Sequence, residues 1–290
     1  MPDRDPLRPS PEEAYTAWAA RVRANREQVD RVREVPDPSD FYAPVSGLFR
    51  ADPRRGDEPT LDQLLGLARP GETWLDIGAG AGRYALPLAL TVREVIAVEP
   101  SAGMAAALRE GMAEHGITNV RVIEGGWPPA APTTGRPITE SPRADVALIA
   151  HLGYDIEPIG QFLDAMEAAA RRLCVAVLLE RQPASVADPF WPIVHGEERI
   201  PLPALPEFLV VLVARGRSFE VRLSERQPRP FESVEAAASF LRRQLWIAEG
   251  GAKDAIFLDA LASRVVERDG QVFLVDQQPL PIGLVSWRPG

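Results

Sequence analysis

At 290 residues, 46% of them hydrophobic, the chain can bury one large core, and a single domain with elaborations fits that length better than two independent ones. The formal net charge is −9 and Lys253 is the only lysine, a balance that argues against an electrostatic nucleic-acid surface. The single cysteine, Cys174, lies in an apolar run, which excludes an internal disulfide and reads as a buried thiol. With no leader-like N-terminus and no apolar run near 18 residues, a cytoplasmic location without a membrane partner is expected.

In chain order, the first predicted element is a helix. Ser10 and Glu13 have capping-box spacing and Pro11 suits the first helical position. Tyr15, Trp18, Val22, Val29 and Val32 then recur at helical spacing, with the arginines of this stretch largely off the apolar stripe. A second helix is expected over Thr60–Arg69. Thr73–Ile77 reads as a short strand buried on both faces. Gly78, Gly80 and Gly82 follow it, and Tyr84 to Leu90 starts a compact apolar helix. Strand, glycine turn and helix is the layout that brings backbone up to a ligand at the carboxyl end of a parallel strand. A dinucleotide fingerprint would place its third glycine at position 83, where this chain has Arg83, and would not require the acid Asp76 ahead of the glycines. Val95–Val98 is a second apolar run ending in Glu99, placed to accept hydrogen bonds from ribose hydroxyls.

From Asp76 onward the sequence resembles the first motif of the class I S-adenosylmethionine-dependent methyltransferases, D-x-G-x-G-x-G followed by an aromatic-containing helix, and the likeness extends over about residues 61–180. The resemblance implies S-adenosylmethionine as cofactor, bound by Asp76, Gly78, Gly80, Gly82 and Arg83, with Glu99 on both ribose hydroxyls. It also implies that Pro100 and Met104 pack on the adenine, although Met104 reads equally well as core. After a third strand over Asn119–Glu124 the family places a glycine and an acid that accepts the adenine amino group. Here Gly125, Gly126 and Trp127 stand in that place. Two substitutes are open: Glu124 one residue early, or Trp127 stacking on the ring beside Gly126. In the family a segment ahead of the core folds over the cofactor; Phe41 and Tyr42 match such a lid, or else pack on the core.

Residues 128–143, rich in Pro, Thr and Gly, read as a surface loop. The fourth strand, Ala144–Ala150, runs into His151, Leu152, Gly153 and Tyr154, at the sheet edge where ligands bind in open α/β folds. His151 is the candidate base and a cofactor contact, and Tyr154 the candidate to orient the acceptor. The alternative for His151 is a residue that only shapes the pocket. A helix over 157–172, a strand over Leu173–Leu179, a proline-rich segment with Trp191 and His195, a helix over Leu205–Ala214 and a strand over Phe219–Leu223 follow. Helices over Ser233–Trp246 and Ala252–Glu267 precede strands over Gln271–Val275 and Ile282–Trp287.

The expected architecture is α/β: a Rossmann-like, doubly wound, mostly parallel seven-stranded sheet with an N-terminal helical lid and a helical insertion near the C-terminus. The lid occupies residues 1–58, the cofactor core 59–232, the insertion 233–270 and the closing strands 271–290. The insertion reads as a substrate cap or as a contact between two copies in a homodimer. His115, His151 and His195 are far apart and lack Cys partners, so no metal site is expected. The resemblance implies an enzyme that moves a methyl group to a small-molecule acceptor by in-line displacement, with the acceptor atom (O, N or C) open. A non-catalytic nucleoside-binding regulator and an RNA or protein methyltransferase are the competing readings.

Overall fold

The computed structural model describes residues 9–36, 47, 49–132, 135–228, 230–275 and 277–290. Its strands are β1 (Thr73–Ile77), β2 (Glu94–Glu99), β3 (Val120–Glu124), β4 (Ala144–Ala150), β5 (Ala170–Leu179), β6 (Phe219–Arg226), β7 (Val265–Arg268), β8 (Gln271–Leu274) and β9 (Leu280–Trp287). Seven of them form one sheet in the order β3-β2-β1-β4-β5-β9-β6. Only β9 is reversed: it pairs antiparallel with both β5 and β6, so β6 again runs the same way as β1 to β5. β1 is buried at every position, which is why its sequence shows a continuous apolar run instead of alternation.

The helices are α1 (Pro11–Val32), α2 (Pro59–Leu65), α3 (Ala85–Ala89), α4 (Ala102–His115), α5 (Ile159–Ala169), α6 (Trp191–His195), α7 (Leu205–Ala214), α8 (Val234–Leu245) and α9 (Ala252–Ala262), with a 3-10 turn over Pro183–Phe190 ahead of α6. They cover both faces of the sheet. Trp18, Phe162 and Phe208 pack with Leu75 and Trp287 on one side, and Leu61, Leu64, Leu86 and Leu108 with Trp74 and Val175 on the other. The α1 capping box forms as its spacing predicts. Trp18 donates to the Ile156 carbonyl (2.8 Å), and the Gln28 side chain holds the backbone of Glu198 and Ile200 (2.8 and 2.7 Å), so α1 is a packed layer of the fold. Phe41 and Tyr42 lie outside the described residues.

Three stretches depart from the expected pattern. α5 stops at Ala169 and β5 begins at Ala170, because Ala170 pairs with Ala144 and extends the ladder backward. α9 stops at Ala262, and Val265–Arg268 instead forms a hairpin with Gln271–Leu274. Asp269 and Gly270 make its two-residue turn at φ 52° and 72°, the conformation that Asp-Gly favours between paired strands. Gln271–Leu274 therefore belongs to this hairpin and not to the core sheet, which β9 alone closes. The helical insertion also has more parts than residues 233–270. Phe190, Trp191 and Val194 from the segment after β5 pack with Leu241, Leu245, Phe257 and Leu261 of α8 and α9 in a separate apolar core.

Candidate active site

The parallel strands end at one edge, and the glycine loop turns there. Gly78, Gly80 and Gly82 all have positive φ (72°, 56° and 87°). The N–H groups of Gly78 and Ala79 donate to the Val98 carbonyl (2.8 and 3.2 Å), which folds the loop over the end of β2. A Cβ at Gly82 would collide with Leu108 and Leu86, whereas one at Gly80 would meet nothing within 4 Å. Gly82 is thus needed for helix packing, and Gly80 leaves an open approach to the backbone.

Glu99 closes this cradle. It is 5% exposed, and its two carboxylate oxygens accept from the Gly80 N–H (2.7 Å) and the Ser101 N–H (2.8 Å). Asp76, at the end of β1, is 2% exposed, and its Oδ1 has no hydrogen-bond partner among the described residues. Burial, and then the charge of Glu99, push its pKa from 3.8 up to about 7. An orphaned carboxylate oxygen beside a second carboxylate and an open glycine fits a ligand that brings both hydroxyl donors and a positive charge.

Next to this lip, Met104 is 3% exposed and packs with Ala81 and Ala107, while Pro100 is exposed and faces Gly135 of the 128–143 loop. The Gly126 N–H donates to the Arg136 carbonyl (2.9 Å). Glu124 is engaged by Arg109 (2.7 Å). Trp127 corrects the stacking expectation: it is 4% exposed within the main core cluster and donates to the Phe162 carbonyl (3.4 Å), so it has little ring surface left for a ligand.

On the other side of the loop, His151 follows β4 at φ 55°, held there by its N–H on the Val177 carbonyl (2.8 Å). Its Nε2 lies 3.3 Å from the Tyr84 hydroxyl. Tyr84 is 3% exposed and burial raises its pKa, so it remains a neutral phenol at this edge. Tyr154 is 5% exposed and its hydroxyl accepts from the Leu179 N–H (2.8 Å), so that oxygen is engaged in fastening the loop to β5. Tyr84, not Tyr154, is the phenol within reach of His151. It sits directly after Arg83 and is the aromatic residue of the helix that follows the glycine motif. Arg83 itself is drawn sideways to Glu58 (2.9 Å), which Arg55 also binds (2.6 Å). Burial disfavours the Glu58 carboxylate, but the hydrogen bond from Arg55 and the charge of Arg83 outweigh this and hold its pKa below the usual range. Beyond β5, Gln182 is 2% exposed with neither amide atom partnered among the described residues. Glu58 and Gln182 carry no sequence signal, since only the fold brings them to this edge.

The family model described as a methyltransferase domain matches residues 75–171, the stretch that holds the glycine loop, Glu99 and His151. Residues 75–171 thus carry a methyltransferase domain. The chain is 44% identical over 54 residues to the 23S rRNA (uracil(1939)-C(5))-methyltransferase RlmD of Xanthomonas campestris, covering 19% of the chain and 12% of that protein. It is 35% identical over 99 residues to the protein-L-isoaspartate O-methyltransferase of Methanoregula boonei, covering 31% of the chain and 46% of that protein. The chain thus spans less than half the length of either curated relative. Among solved structures it resembles an S-adenosylmethionine-dependent methyltransferase of Geobacter sulfurreducens in complex with S-adenosyl-L-homocysteine (TM-score 0.51, 14% identity, 88% of this chain and 99% of that one). It also resembles the YcgJ protein of Bacillus subtilis (TM-score 0.52, 16% identity, 80% and 98% covered), and both likenesses concern the fold.

Proposed function

We propose that this chain is an S-adenosylmethionine-dependent methyltransferase that acts on a small-molecule acceptor. The observation that carries this reading is the lip formed by Asp76, Gly80 and Glu99, with the Asp76 Oδ1 unpartnered among the described residues and the glycine open. Glu99 accepts the ribose hydroxyls, the open backbone at Gly80 receives the cofactor closely, and Asp76 faces its positive charge. When bound, the cofactor supplies a methyl group on a sulfonium, already activated for displacement.

The chain must then hold the acceptor in line and keep water out, and such positioning lowers barriers by roughly 7–11 kcal/mol. His151 and Tyr84 meet at the acceptor side of the loop. With His151 Nε2–H directed at the Tyr84 hydroxyl, which orients the ring, Nδ1 is the nitrogen that takes the proton from the acceptor's nucleophile. Tyr154 positions the loop through Leu179. The cap built from the segment after β5 with α8 and α9 excludes solvent. RNA and protein acceptors stand in the names of two relatives, but the chain matches those over only 12% and 46% of their lengths, and a net charge of −9 disfavours an RNA.

Calorimetry with S-adenosyl-L-homocysteine and with NAD, followed by a labelled-methyl screen against a metabolite extract, tests the reading. Binding of S-adenosyl-L-homocysteine, no heat with NAD, and label in a small molecule are expected; NAD binding with no response to the homocysteine ligand would defeat it.

A further inference from the structure

Arg226 is the last residue of β6. Ser224, two residues earlier and on the same strand face, meets Thr60 of α2 at 2.7 Å between their hydroxyl oxygens. Arg226 therefore belongs to the side of the sheet that α2 and its cap residue Glu58 occupy. Because β6 runs parallel to β1, β4 and β5, its end opens on the same edge as Tyr84 and His151. The charged and polar groups that act on Arg226 are Arg83, Tyr84, Tyr154 and Glu58.

Among the described residues, this half-buried guanidinium has no hydrogen-bond or ion-pair partner. The other enclosed arginines differ: Arg199 pairs with Asp188 (3.3 Å), Arg215 with Glu167 (2.9 Å) and Arg242 with Asp254 (2.6 Å). Arg55 and Arg83 already share Glu58, so three guanidiniums face one carboxylate, a formal excess of +2 in a chain of net charge −9. Burying a cation without a counter-ion is costly, and an arriving anion removes the cost. A guanidinium fork matches a carboxylate in two parallel hydrogen bonds.

We propose that Arg226, with Arg83 beside it, anchors a carboxylate of the methyl acceptor, so that the substrate class is an organic acid. This rests on the methyltransferase reading above. Position favours the acceptor over the cofactor. Glu99 on β2 and Arg226 on β6 are separated by five strand spacings, roughly 24 Å at about 4.8 Å each.

The test compares wild type with Arg226→Gln and Arg226→Lys. S-adenosyl-L-homocysteine and 5′-methylthioadenosine, which lacks the amino-acid moiety, should bind all three within about twofold by calorimetry. On protein saturated with S-adenosyl-L-homocysteine, benzoate and succinate should raise the melting temperature of wild type, while benzamide and succinamide should not. Arg226→Gln should weaken the acid response about tenfold or more, and Arg226→Lys should retain part of it. Equal responses to acids and amides, an undiminished acid response in Arg226→Gln, or a wild type silent to both acids overturns the proposal. If Arg226→Gln weakens S-adenosyl-L-homocysteine but not 5′-methylthioadenosine, the arginine serves the cofactor's own carboxylate and the acceptor assignment is wrong. A wild type that fails to bind S-adenosyl-L-homocysteine defeats the methyltransferase reading instead, and the acid–amide contrast is then read on the free protein.

Discussion

Replacing Asp76 with asparagine removes one buried charge and almost no volume, and two pH dependences should change together. In the folded chain the Asp76 carboxyl holds its proton up to about pH 7, against 3.8 for an ordinary aspartate, chiefly through burial and then through Glu99. The folded state therefore binds this proton more tightly than the unfolded state. The resulting stability is fully present below pH 3.8 and is lost as pH rises toward 7. At ~1.36 kcal/mol per pH unit over about three units, the loss is on the order of 4 kcal/mol. Cofactor binding should slope the other way, because the ammonium group that the cofactor shares with S-adenosyl-L-homocysteine selects the ionised carboxylate. For a group titrating near 7, affinity should fall about 30-fold between pH 8.0 and 5.5, which is about 2 kcal/mol. Urea unfolding of the free protein across pH 4–8 and calorimetry with S-adenosyl-L-homocysteine at pH 5.5 and 8.0 measure both slopes. Asp76→Asn should unfold with a flatter pH profile, be more stable than wild type at pH 8, and bind the ligand weakly and equally at both pH values. A wild type with the same affinity at pH 5.5 and 8.0, or an asparagine variant that binds like wild type at pH 8.0, would refute the reasoning.

Glu99→Gln should weaken S-adenosyl-L-homocysteine by roughly 10- to 100-fold, since charge-assisted hydrogen bonds contribute about 1.5–3 kcal/mol each; calorimetry beside a melting curve separates this from unfolding. Gly80→Ala places a Cβ in open space but at φ 56°, so it should cost about 1 kcal/mol of stability in urea titrations while weakening the same ligand more than tenfold. Once a substrate is identified, His151→Gln and His151→Leu should each lower turnover by roughly 100-fold or more and leave cofactor affinity nearly unchanged. Wild-type rates in both would remove His151 from the chemistry.

What the sequence makes legible here is local and strongly patterned. β1, β4 and α7 fall at their expected bounds, because continuous apolar runs bracketed by polar residues admit few alternatives. The glycines and Glu99 are legible because backbone approach and a terminal acid need those residue types at those offsets. Helical periodicity carried the reading of α9 past Ala262, although Asp269-Gly270 marked a hairpin and Val265 and Val266 suit a strand. Trp127 offered only an aromatic in the right place, and burial decides its use. Arg55, Glu58, Arg83, Tyr84, His151 and Arg226 are scattered over 172 positions, and no periodicity relates residues that only sheet order brings together.

The second apolar core has a consequence for anyone rebuilding this protein. Phe190 and Trp191 come from one stretch, Leu241 and Phe257 from another, and Val29 reaches in from the far end of α1. Glu34 and Lys253 knot that helix end to the same unit, through the Ala248 N–H (3.0 Å) and the Val32 carbonyl (2.7 Å). This unit is consequently not a cassette. Excising 233–270 alone would strip the partners from two fully buried aromatic rings and leave a sticky, misfolding-prone chain. A chimera that replaces this unit must transplant three separate pieces at once, or redesign the seam where they meet.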